Sequence, residues 1–169
     1  MANAILTADR LREVLNYDPA TGIFTRKVRL AQRHHVGDRA DFIITGGGMG
    51  GYFRVSLDSQ RYLAHRLAWL YVKGEWPANE IDHINGDRAD NRIDNLRDVV
   101  GIINAQNKRK PRSDNKSGFL GVTTFASGKF RASVHFSGKR IHVGMFDNPE
   151  DAHRAYLEAK RLVHEGCTI

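Results

Sequence analysis

The chain reads as an α+β protein, and three observations point that way. The last 52 residues carry three strand-like runs joined by short Ser-Gly turns and followed by one amphipathic helix. The middle of the chain places a polar, Asp- and Asn-rich stretch between two helix-like segments. The first 60 residues add further short strand patterns around a glycine run. Such a succession predicts small sheets covered by helices.

In chain order, Thr7 caps a short helix through about Asn16, with Leu11, Val14 and Leu15 on one face, and Asp18-Pro19-Ala20-Thr21-Gly22 makes a turn. Strands follow at 23–28 and 52–57, the second alternating Tyr52, Arg54 and Ser56 against Phe53, Val55 and Leu57. The glycine run 46–51 between them lacks the Lys-Ser/Thr of a phosphate-cradling loop and the spacing of a dinucleotide fingerprint, so it reads as a hairpin loop. Residues 62–73 place Leu63, Leu67 and Leu70 at helical spacing, closed by Gly74 and Pro77. The stretch 81–97 is too rich in Asp, Asn and Gly for regular structure, and a second helix is expected over about 99–108. Strands at 119–125, 129–136 and 139–146 precede a helix that opens with Asn148 as cap, Pro149 in the first turn and Glu150 and Asp151 near its positive end. Gly166 is expected to end it.

At 169 residues the chain is too small for a barrel enzyme or a complete dinucleotide-binding dehydrogenase. Its formal charge of +7 and pI near 9.8 favour a polyanionic partner, with nucleic acid first. The excess is spread along the chain, net +2 over 1–60, +3 over 61–112 and +2 over 113–169. The densest local run, Lys108-Arg109-Lys110-Pro111-Arg112, leads into the polar stretch 113–118 and reads as a linker, solvated or phosphate-tracking. No window is long and apolar enough for a membrane span, and the start of the chain lacks a signal-peptide pattern, so a cytoplasmic protein is expected. With Cys167 as the only cysteine, neither a disulfide framework nor a cysteine zinc site is expected, and any metal must be held by oxygen and nitrogen.

The chemistry concentrates in Asp82-His83-Ile84-Asn85-Gly86-Asp87, then 90–96, then Asn104. Phosphodiester hydrolysis wants such a set. A hard cation such as Mg2+ or Mn2+ takes oxygen ligands and keeps several waters, so Asp82 and Asn104 suit it when phosphate supplies the remainder. An imidazole with an ordinary pKa of about 6.5 can accept a proton from water, which makes His83 the general base. Taken alone, an Asp-His pair is usually a loop ion pair, and Asp90-Asn91 and Asp94-Asn95 are usually turn formers.

The stretches 64–69, 81–87, 90–97 and 104–107 together resemble the HNH homing endonucleases of phages and introns. The resemblance implies a ββα-metal fold: a hairpin carrying Asp82 and His83, a loop, and the helix carrying Asn104. It implies His83 as general base, Asp82 and Asn104 as metal ligands, and Asn95 as the loop residue that orients the base. No CxxC pairs are present, so no structural zinc is expected. His65 and Arg66, just ahead of the motif, are read as packing or phosphate-contacting residues. A phage-encoded protein acting inside a bacterial host cell fits that resemblance.

Residues 117–122, 128–132, 143–146 and 148–156 resemble the AP2/ERF DNA-binding domain, which implies a three-stranded sheet entering the major groove. Pleat parity independently directs Phe130, Ala132, Val134, Phe136, Ile141 and Val143 to the helix and leaves Lys129, Arg131, Ser133, His135, Arg140 and His142 outward. On the first strand Thr123, Thr124 and Phe125 replace the arginines of the plant domains, so their target sequence is not carried over; Thr123 and Phe125 join the candidate DNA contacts, as do Lys108, Arg109, Lys110 and Arg112. The expected organisation is an N-terminal β-rich segment over 1–60, a nuclease module over 61–110, a basic linker over 111–117 and an AP2-like domain over 118–169. The expected activity is metal-dependent, site-specific cleavage of double-stranded DNA, leaving 5′-phosphate and 3′-hydroxyl ends. The competing class is a non-catalytic DNA-binding regulator that retains the HNH scaffold.

Overall fold

A computed structural model describes residues 5–169. Met1–Ala4, part of the start read for a signal peptide, lie outside the described residues. Among the described residues no helix is long and apolar enough to cross a membrane. The chain divides into two units, Met1–Val100 and Gly101–Ile169.

The first unit opens with α1 (Ala8–Val14), whose N-terminal amides are capped by Thr7, and passes directly into the antiparallel hairpin of β1 (Leu15–Asp18) and β2 (Ile23–Arg26). Asp18 folds its turn by accepting hydrogen bonds from Ala20 N and Thr21 Oγ1. A second sheet runs in the order β3 (Asp41–Ile43), β4 (Phe53–Leu57), β5 (Gln60–Leu63), all antiparallel, with the glycine run forming the β3–β4 connection. Helix α2 (Ala64–Lys73) follows and ends on Gly74 at φ 84°, a left-handed cap. The unit closes with the hairpin of β6 (Glu80–His83) and β7 (Leu96–Val99).

One apolar core joins Leu11, Leu15, Phe24, Val55, Leu57, Leu67, Leu70, Ile81 and Leu96. Residues 1–60, expected to be a segment of their own, therefore share a core with the helix and hairpin that follow. The stretch 81–97, expected to be irregular, contributes two paired strands. Apart from Asp82 on β6, its Asp and Asn residues lie in the connection between them.

The second unit begins with α3 (Gly101–Gln106) and contains an antiparallel sheet ordered β10 (Lys139–Phe146), β9 (Phe130–Phe136), β8 (Val122–Thr124), packed against α4 (Pro149–Val163). Asn148 caps α4 by accepting from Asp151 N. The helix stops at Val163 with His164 as its C-cap, three residues before Gly166. The unit begins earlier than the expected domain start because residues 106–109 are tied to the end of the chain. Lys160 Nζ donates to Lys108 O, Gly166 N to Gln106 Oε1, and Arg109 to Thr168.

Pleat parity sets the faces of this sheet, with three departures. Phe130, Ala132, Val134, Val143 and Phe146 meet Ala152 and Tyr156 of α4. Phe136 and Ile141, expected in the core, are exposed because they lie at the Ser137-Gly138 end of the hairpin. There the helix has given way to His164, whose Nε2 contacts His135 O. Ser133, expected to point outward into solvent, is buried: it sits mid-strand on the central strand, directly opposite His142.

Candidate functional site

Short strands leave the β6–β7 hairpin little apolar burial, so side chains fix it. Asp82 lies opposite Arg97, and both guanidinium nitrogens Nε and Nη2 donate to the same carboxylate oxygen, Oδ2, at 2.9 and 2.7 Å. This pair is largely buried, and two charge-assisted donors converging on one oxygen hold the carboxylate as well as neutralising it. Asp98 accepts from Ala78 N and Asn79 N, anchoring the entry to β6.

The connection between the strands is a chain of side-chain-closed turns. Asn95 Oδ1 accepts from Asn85 N, its Nδ2 donates to Asp90 O, and its carbonyl accepts from Ile84 N. Asp90 takes a fork of bonds from Arg92, which holds its carboxyl down at about 2. Gly86, at φ 74°, lets its N–H return to the His83 carbonyl.

His83 lies at the end of β6, 4% exposed. Its Nε2 is 3.3 Å from Asn91 Oδ1, and Asn91 is itself 2% exposed. An amide oxygen only accepts, so this contact assigns the proton of the neutral imidazole to Nε2 and the lone pair to Nδ1. Two rings complete the surroundings. His65 of α2 stands edge-on to His83 at 5.1 Å between centroids and 89° between planes, and Tyr52 lies 5.8 Å from His83 and 5.2 Å from His65. Arg88 in turn covers Tyr52 and donates to Gly50 O. Burial lowers the His83 pKa, opposed by the Asn91 contact and by the charges of Asp82, Asp87 and Asp90. Burial pushes His65 down much further, to about 3, so it stays neutral.

Asn91 is held from behind by the N-terminal hairpin. Tyr17 Oη donates to Asn91 O at 2.8 Å. Gly22 packs so closely that a Cβ there would lie 2.5 Å from Asn91 C and 2.6 Å from Arg92 N. The first 60 residues thus form the back wall of the site.

The expected roles sort accordingly. Asp82 and His83 are neighbours on one buried strand end. Asn95 staples the loop, whereas the side chain facing the imidazole is Asn91. His65 is a buried wall of the site, and burial keeps its ring neutral. Arg66 donates to Asn79 O and Pro77 O and so braces the loop after α2. Asn104 lies on α3 and is described with the second unit, half-buried. Among the candidate DNA contacts, Lys108 and Lys110 are exposed, Arg112 pairs with Asp114, Arg109 is engaged by Thr168, and Lys129 pairs with Asp147. Thr123, Arg131, His135, Arg140 and His142 share the sheet face opposite α4, with Phe125 stacked under the Arg131 guanidinium at 4.9 Å. Asn91, Tyr52, Tyr17 and Arg97 escape sequence reasoning. Only Arg97 had a signal, since it faces Asp82 once the hairpin register is known.

As for a metal, no group of three or more His, Cys, Asp and Glu side chains converges among the described residues. The donor chemistry that is present, a carboxylate fixed beside an imidazole, suits a hard cation that draws most of its ligands from water and phosphate.

Residues 62–100 match the HNH endonuclease family. An uncharacterized HNH endonuclease of Acanthamoeba polyphaga mimivirus is 42% identical over 74 residues, covering 39% of this chain and 19% of that protein. The chain thus spans about a fifth of the length of that relative. No solved structure matches.

Proposed function

We propose that this chain is a metal-dependent endonuclease that cleaves double-stranded DNA at specific sites, of the homing type. The observation that carries this is the buried His83 with its tautomer set by Asn91, one residue from a fixed carboxylate, inside the segment that matches the HNH endonucleases. His83 Nδ1 takes the proton from a water whose oxygen attacks phosphorus in line. The P–O3′ bond breaks, the electron pair leaves with O3′ and is protonated from solvent, and the products carry 5′-phosphate and 3′-hydroxyl ends. Asp82 and Asn104 are the proposed oxygen ligands of Mg2+ or Mn2+, which when bound neutralises charge on the phosphate and leaving oxygens. Arg97 keeps the Asp82 carboxylate in one orientation, and His65 and Tyr52 exclude bulk water from the far side of the imidazole.

The outer face of the C-terminal sheet is the proposed reader of DNA. It offers Arg131, Arg140, His135 and His142 with no acidic residue on its strands, which suits a groove lined by phosphates.

Supercoiled plasmid incubated with the chain and Mg2+ should be nicked or linearised, EDTA should abolish this, and His83→Ala should lower the rate at least 100-fold. Undiminished cleavage by His83→Ala would remove the histidine from the chemistry. Tight duplex binding without cleavage in any divalent ion would instead place the chain among non-catalytic DNA-binding regulators, the reading that the neutralised Asp82–Arg97 pair favours.

A further inference from the structure

Arg26 ends β2 with a side chain that the fold does not use. It is 9% exposed, its Nη1 is buried without a hydrogen-bond partner, and among the described residues its guanidinium makes no hydrogen bond or ion pair. Its backbone closes a loop: Arg26 N donates to Asp38 O, and Gly37 N returns to Arg26 O. The eleven residues so enclosed, 27–37, contain Lys27, Arg29 and Arg33 and no acid. His34 on this loop also has a buried Nδ1 without a partner, and its pKa is lowered by burial and then by the charges of Arg26 and Arg33. The carboxylate of Asp38 acts on both Arg26 and His34 through its charge alone, and its Oδ2 accepts from His35 N. Buried donors are nearly always satisfied, and an unpaired buried guanidinium is costly. An unpartnered guanidinium nitrogen and an unpartnered imidazole nitrogen at one acid-free basic loop are a setting that an anion would complete.

We propose that Arg26, Arg33 and His34 form a seat for a phosphate oxyanion, and that a backbone phosphate of duplex DNA fills it. The source of the phosphate rests on the nuclease reading; the seat does not. A guanidinium presents a planar fork to phosphate oxygens, and its low hydration makes burial tolerable while it waits. The seat belongs to the first unit, whose own hairpin supports Asn91, so a phosphate held here is registered to the same rigid core as His83.

The test uses the full chain in EDTA, so that DNA is bound and not cut. Fluorescence anisotropy with a 30-base-pair duplex is measured across roughly 50–200 mM KCl for wild type, Arg26→Met, Arg26→Lys and Arg33→Ala. Arg26→Met should bind about 5–10-fold more weakly, with the log–log salt slope reduced by about one. Arg26→Lys should recover part of both. Because methionine removes a buried unpaired charge, the melting temperature of Arg26→Met should equal or exceed that of wild type, whereas an arginine kept for structure would lower it. In a second arm, inorganic phosphate against chloride at matched ionic strength should raise the melting temperature of wild type and not of Arg26→Met. If wild type binds no duplex, the nuclease reading fails, and the phosphate arm alone decides the seat. Unchanged duplex affinity and slope in Arg26→Met with a retained phosphate effect in wild type would make free phosphate the occupant, overturning the DNA source. Absence of both effects overturns the seat.

Discussion

Replacing Gly22 by alanine separates the back wall of the site from the site itself. Gly22 has φ 73°, a conformation that costs an L-residue about 1–2 kcal/mol. The added methyl would also sit 2.5 Å from Asn91 C and 2.6 Å from Arg92 N, backbone atoms that cannot rotate away. Forcing such a contact apart costs about 1–3 kcal/mol more, for a total of about 2–5 kcal/mol. Gly37 is the internal control: it has φ 89° and nothing within 4 Å of its own virtual Cβ, so Gly37→Ala carries the conformational cost alone. Urea denaturation of both variants measures the difference, with unchanged m-values required for the comparison. Plasmid nicking under conditions where both are folded reads the second consequence. Displacing Asn91 weakens its hold on His83 Nε2, and a loss of about 1–1.5 kcal/mol there corresponds to about a tenfold slower cut. Equal stability loss and equal nicking in Gly22→Ala and Gly37→Ala would refute the buttress.

Asn91→Ala should slow nicking by about 10–100-fold, matching about 1–3 kcal/mol for an imidazole N–H left without its acceptor, while duplex binding in EDTA stays unchanged. Arg97→Met should destabilise the chain by about 1–3 kcal/mol in urea and also suppress cleavage, because it leaves the largely buried Asp82 carboxylate without its fork of donors. For His65 the folded pKa is about 3 against about 6.5 unfolded, so below pH 6.5 the unfolded chain takes up the proton first. Stability is full above that point and falls by up to about 1.4 kcal/mol per pH unit down to about 3. His65→Leu should lose less stability than wild type between pH 7 and pH 5, by about 2 kcal/mol, and identical acid slopes would remove His65 from the account.

Where a single element announces its own ends, the sequence locates it well. Asn148-Pro149-Glu150-Asp151 predicts the start of α4, and Thr7 the start of α1. The misses arise where pairing partners decide. Tyr62 and Leu63 carry helical spacing but pair with Val55 and Arg54 in β5, through a turn whose Asp58 and Ser59 both have positive φ without a glycine to signal it. The strand predicted over 119–125 shrinks to Val122–Thr124 because Gly121 turns at φ 78° to admit the Tyr156 ring. In the site, Asp82, His83 and Asn95 are legible from spacing and chemistry. Asn91 is not, since an Asp-Asn pair in a polar loop looks the same whether its amide faces solvent or an imidazole. Tyr17 and Gly22 lie some 70 residues away, and no local pattern connects them to the loop they support.

That remote support bears on the base role proposed for a histidine only 4% exposed. Desolvation favours the neutral form, which keeps the lone pair available at neutral pH but weakens the base; the three nearby carboxylates and the Asn91 contact act in the opposite sense. The balance holds only while the loop keeps its distance from the ring. His65 can stand edge-on against His83 without adding like-charge repulsion because it does not protonate in the working range. His65 therefore shapes the site as a neutral ring, while burial and the nearby carboxylates pull His83 in opposite senses. The walls that enforce this come from α2, from Tyr52 at the end of the glycine run, and from the β1–β2 hairpin behind Asn91. The N-terminal 60 residues accordingly build the surroundings of His83, and a chain cut to 61–110 would keep the motif and lose Tyr17, Gly22 and Tyr52 from around it.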